Sequence, residues 1–137
     1  MRLLILTFLF LVSYRVCAQP PNDACADATV LCAGQSEVGN NTGSAELLPA
    51  VCPPGGDLIW YTFTTNSLGG EVDLHITGLS CLGTAGMDNE LSVAVLSFGI
   101  PCNPGTYNLL QPCEQDSADF EVQIPGLLPN TQYWIVV

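Results

Sequence analysis

The closing stretch QYWIVV, residues 132–137, decides how the fold is read. In an extended chain Tyr133, Ile135 and Val137 point to one face, and Trp134 and Val136 point to the other. Both faces are apolar, as in the middle of a sheet, and both require cover. A single helical turn does not explain the pattern. The strand that ends the sequence therefore carries the signature of an interior strand.

Working back from this stretch, the same period of two recurs. In DFEVQI, Phe120, Val122 and Ile124 alternate with Asp119, Glu121 and Gln123. In EVDLHIT, Val72, Leu74 and Ile76 alternate with Glu71, Asp73, His75 and Thr77. Leu91, Val93 and Val95 form a third row. LIWYTFT, residues 58–64, begins apolar on both faces, as a central strand does. Shorter strands are expected over 29–33 and 106–110. Between these runs stand turn-formers: Pro53-Pro54-Gly55-Gly56, Leu68-Gly69-Gly70 and Pro104-Gly105. No segment carries a helical stripe. The pattern predicts an all-β protein, an antiparallel β-sandwich of jelly-roll or fibronectin/Ig-like type.

The opposite end differs in kind. Met1-Arg2 precedes an apolar run from Leu3 to Val12, and Val16-Cys17-Ala18 supplies small residues where signal peptidase cuts. Residues 1–18 read as a secretory signal peptide, with cleavage after Ala18. The run is shorter than the roughly 20 residues a spanning helix needs, so no membrane span is expected. Val16 before Cys17 does not fit a lipidated cysteine. Residues 19–137 then form a single module of a secreted or cell-surface protein.

Charge narrows the partners. The chain's two basic residues are Arg2 and Arg15, both in the leader, and all 13 carboxylates follow it. Phosphate recognition rests on Lys and Arg, so nucleic acid is excluded as a partner of residues 19–137. An anionic membrane surface is excluded on the same ground. Neutral glycans, basic protein ligands and divalent cations remain, and an acidic surface also serves solubility.

Beyond the leader stand Cys25, Cys32, Cys52, Cys81, Cys102 and Cys113. In a secreted chain they read as a disulfide framework, each bridge stabilising by ~2–4 kcal/mol. The sequence leaves the pairing open, although short loops favour Cys102 with Cys113. A metal cluster is disfavoured: no CxxC occurs, and His75 is the lone histidine.

The approach LLPNTQYW resembles the tyrosine corner of fibronectin-like and other Greek-key sandwiches. The resemblance gives Tyr133 a hydroxyl bond back to upstream backbone at the Pro129 turn, with Leu127 or Leu128 packed beneath. In those folds a further strand pairs beside the one after the corner. The expectation is thus a module truncated before its last strand, incomplete at the C-terminus, with an unpaired apolar edge at Val137. With Pro129, Asn130, Thr131 and Tyr133 of the corner, two further matches extend the likeness: Asn22, Asp23 and Cys25; and Asp57, Trp60, Tyr61 and Phe63. Together these resemble the N-terminal β-sandwich module of large secreted proteins of gliding-type bacteria. Such proteins carry a type IX secretion sorting domain, and their modules are similar to pre-peptidase C-terminal type domains. The resemblance implies further domains in the same chain.

The residues give little chemistry. His75 sits on the polar side of an alternating strand, where a solvated role is far commoner than a catalytic one. No Gly-x-Ser-x-Gly elbow occurs. Asp88-Asn89-Glu90 and Asp57 are the oxygen donors that would suit calcium, against an ordinary role in turns. Trp60 and Tyr61 would stack on a sugar only if their strand exposed them, and core positions are commoner. The expected function is a non-catalytic structural or adhesive module, with no cofactor except calcium. A carbohydrate-binding module, or an accessory domain beside a downstream peptidase or hydrolase, is the alternative.

Overall fold

The computed structural model describes residues 19–44, 52, 57–80 and 90–137. The expected signal peptide (1–18), the turn expected at Pro53–Gly56, Cys81, Asp88 and Asn89 lie outside the described residues. Among those described, eight strands form two sheets. They are β1 (Thr29–Val30), β2 (Trp60–Thr64), β3 (Gly70–Ile76), β4 (Leu91–Phe98), β5 (Tyr107–Leu109), β6 (Glu114–Asp116), β7 (Phe120–Leu127) and β8 (Gln132–Val136). The fold is an all-β sandwich.

The larger sheet runs β1-β2-β8-β4-β5, with β6 also on β4. The smaller pairs β3 with β7. All pairs are antiparallel except β1 with β2, which run parallel. This departs from a purely antiparallel sandwich. The long connection over 31–59 supplies the crossover that a parallel pair needs.

The expectation of an unpaired edge at the last strand is corrected. β8 lies between β2 and β4: Ile135 stands opposite both Tyr61 and Val95. Val137 itself exchanges both backbone hydrogen bonds with Ile59, at 2.9 and 3.1 Å. The resemblance placed the strand after the corner beside a missing neighbour. Instead the chain crosses from the smaller sheet to the larger and inserts between two strands already present. Its two apolar faces are the mark of that position.

Each face of the larger sheet is covered. On one, Ile59, Tyr61, Phe63, Val93, Val95, Tyr133 and Ile135 meet Val122, Ile124 and Leu127 of β7. Val72, Leu74 and Ile76 of β3 pack half-buried against the same core. On the other, Trp60, Ala94, Leu96, Trp134 and Val136 are buried with Cys25, beneath Leu58, Phe98, Tyr107 and the other disulfide cysteines. Burying side chains of the size of Leu96, Val93 or Ile124 contributes about 1.5–3 kcal/mol each. The outward side of the smaller sheet is polar, since Glu71, Asp73, His75, Glu121 and Gln123 alternate with the core residues.

Candidate functional site

The tyrosine corner is present. The backbone N–H of Leu128 donates to the Tyr133 hydroxyl at 2.9 Å. Of the two leucines, Leu127 packs beneath it at 5 % exposure, while Leu128 is 64 % exposed. Pro129 presents its carbonyl to the Thr131 hydroxyl at 2.9 Å. The β7–β8 turn also locks onto the β2–β3 turn. The Thr65 hydroxyl donates to the Leu128 carbonyl at 2.5 Å and accepts the Thr131 N–H at 2.9 Å. The Asn130 N–H donates to the Asn66 carbonyl at 2.9 Å. Gly69 makes this contact sterically feasible: its φ is +66°, and a Cβ there would lie 2.3 Å from the Leu127 carbonyl oxygen.

The disulfides join Cys25 to Cys102 and Cys52 to Cys113. The expected Cys102–Cys113 bridge is thereby corrected. Loop-closure entropy rises only slowly with length, by about 0.6 kcal/mol per doubling. Position on the fold outweighs so small a preference. Cys25, Cys52, Cys102 and Cys113 all gather over the outer face of the larger sheet, against Trp60 and Trp134. Phe98 lies edge-on to Trp134 at 4.9 Å and to Tyr107 at 6.3 Å within that layer. Cys32 is exposed and has no disulfide partner among the described residues, so the framework read from the cysteines does not include it there.

Trp60 and Tyr61, at 1 % and 9 % exposure, belong to the two cores and offer no stacking platform. Trp60 Nε1 is buried without a hydrogen-bond partner. His75 lies on the outward face, its Nδ1 3.5 Å from the carboxylate of Glu121, its register partner. Both side chains are solvent-accessible, so the pair contributes little to stability.

Of the oxygen donors weighed for calcium, the two described, Asp57 and Glu90, hold other partners. The Asp57 carboxylate accepts the Gly43 N–H at 2.7 Å, closing a loop contact. The Glu90 carboxylate accepts the Gln115 side-chain amide at 2.8 Å. Among the described residues no group of three or more His, Cys, Asp or Glu side chains is placed to hold a metal ion.

A cleft of about 430 Å³ lies at Tyr61, walled by residues 19–22, 37–40 and 42. Asn22 anchors one wall. Its side chain donates to the Trp60 carbonyl at 2.8 Å, and its own carbonyl accepts the Trp60 N–H at 2.8 Å. The other wall comes close because residue 39 is glycine: a Cβ there would lie 2.3 Å from the Tyr61 hydroxyl. Burial raises the pKa of the Tyr61 phenol above its ordinary value; a hydrogen bond with Asn22 opposes this, and the Glu37 carboxylate adds to it. The phenol is therefore neutral at physiological pH. Sequence reasoning passed over this cleft, because Asn22, Glu37 and Tyr61 are far apart in the chain and carry no motif of spacing. No protein-family model, curated protein or solved structure matches the chain.

Proposed function

We propose that this chain is a non-catalytic extracellular module, structural or adhesive, of a larger secreted or cell-surface protein. The observation that carries the reading is the pair of long-range disulfides, spanning 77 and 61 residues, closed over the aromatic face of the larger sheet. Covalently locked loops present a fixed surface in an oxidising compartment. The 13 carboxylates of residues 19–137, with no Lys or Arg among them, favour basic or neutral ligands. The likeness of the Asn22–Cys25, Asp57–Phe63 and Pro129–Tyr133 motifs to N-terminal modules of type IX secreted proteins supports the same assignment. Among the described residues no helix is long and apolar enough to cross a membrane.

The test is retention under flow. Beads carrying the oxidised full chain are passed over surfaces coated with a basic protein, a neutral glycan or an inert polymer. The same preparation is assayed for peptide and glycoside hydrolysis. Retention on a coated surface that is lost on reduction, with hydrolysis at the uncatalysed rate, is the expected result. Enzymatic turnover, or retention no better than on the inert polymer, contradicts it.

A further inference from the structure

We propose that the cleft at Tyr61 receives the cationic side chain, arginine or lysine, of a basic protein partner. The inference deepens the adhesive reading and rests on it. Three features point to this ligand.

The first is a carboxylate without a basic side-chain partner. Glu37 is the carboxylate that lines the cleft. Its partner is the neutral side-chain amide of Gln35. Residues 19–137 hold no Lys or Arg side chain to pair with it; the cation that cleavage after Ala18 would add there is the α-ammonium of Gln19. A guanidinium or ammonium from a partner pairs with the carboxylate and donates to it.

The second is shape. Pro20, Pro21 and Val38 line the cleft with apolar groups, beside the polar side chains of Asn22 and Tyr61. Long basic side chains have this layout, an apolar stem with a charged head. The volume of about 430 Å³ falls within the range of small-ligand pockets. A neutral sugar would lack the exposed ring on which sugars usually stack, since Tyr61 is buried.

The third is the field. The carboxylates outnumber the Lys and Arg side chains by 13 to none beyond the leader. A concave site in such a field concentrates cations and speeds their approach.

The experiment titrates the oxidised full chain with acetyl-Gly-Arg-Gly-amide and acetyl-Gly-Lys-Gly-amide, followed by amide chemical shifts. Controls are the isosteric citrulline peptide and a neutral trisaccharide. Expected are saturable shifts at residues 19–22, 37–42 and 61, weakened about three- to fivefold by Glu37→Gln and weakened further in high salt. Glu37 is exposed, so Glu37→Gln should melt like the parent. Equal binding of the citrulline peptide, saturable binding of the trisaccharide in its place, an unchanged affinity for Glu37→Gln, or no saturable shift at these residues would each overturn the proposal. The flow assay separates the two levels. Undiminished retention of Glu37→Gln beads on the basic protein overturns the cleft while the adhesive reading stands. Peptide binding at the cleft with no retention on any surface overturns the adhesive reading alone.

Discussion

The Tyr133 hydroxyl accepts the backbone N–H of Leu128 at 2.9 Å, across the turn that carries the chain from the smaller sheet to the larger. The ring of the same tyrosine stacks on Phe63 of β2 at 5.6 Å. One side chain thus fixes both the turn and the register of β8. Removing only the oxygen leaves the ring in place and strands a part-buried donor. Tyr133→Phe should therefore destabilise by about 1–3 kcal/mol. Urea unfolding of the oxidised protein measures this, and faster hydrogen exchange at Leu128 should accompany it.

Gly69 tests the second half of the same corner. Alanine there faces both a left-handed φ of +66° and a backbone oxygen 2.3 Å from its Cβ. Gly69→Ala should cost about 2–3 kcal/mol or more, because neither the carbonyl nor the turn can yield cheaply. Gly34 also has a positive φ, +74°, but has open space at its Cβ position. Gly34→Ala should cost about 1 kcal/mol. Equal melting points for the two variants would remove the close contact from the account.

Most of the fold was legible because side-chain period reports burial directly. β3 and β7 show clean alternation, having one wet face. β2, β4 and β8 show apolar residues on both faces, and these three adjoin one another at the centre of the larger sheet. β6 was missed: Glu114, Gln115 and Asp116 are all exposed and carry no period. The place of β8 was misjudged because a period records that a strand is covered, not which neighbours cover it. Disulfide pairing was misjudged for a related reason. Cys25 and Cys102 meet through the whole sheet order, which local loop length does not contain. The Tyr61 cleft depends on the same long-range assembly, so only the chemical types of its residues were visible beforehand.

Tyr61 links stability to alkaline pH. Its folded pKa lies above the unfolded value, chiefly through burial. The folded state then holds its proton more tightly than the unfolded chain. This contribution is fully present below the unfolded phenol pKa of about 10 and is lost as pH rises through the folded one. Melting points should fall above about pH 10, and Tyr61→Phe should fall less steeply there. Parallel profiles for the two proteins would show that other groups set the alkaline limit.

Two long-range disulfides lock the outer aromatic layer of the sandwich. The most direct measurement is disulfide mapping of the full chain recovered after export, by proteolysis and mass spectrometry with and without reduction. An N-terminus at Gln19 and linked peptides joining Cys25 to Cys102 and Cys52 to Cys113 are expected. Replacing either pair by serine should cost about 4 kcal/mol, as expected for loops of this length. A peptide joining Cys102 to Cys113, or all four thiols alkylating in the folded protein without reductant, would contradict this locking.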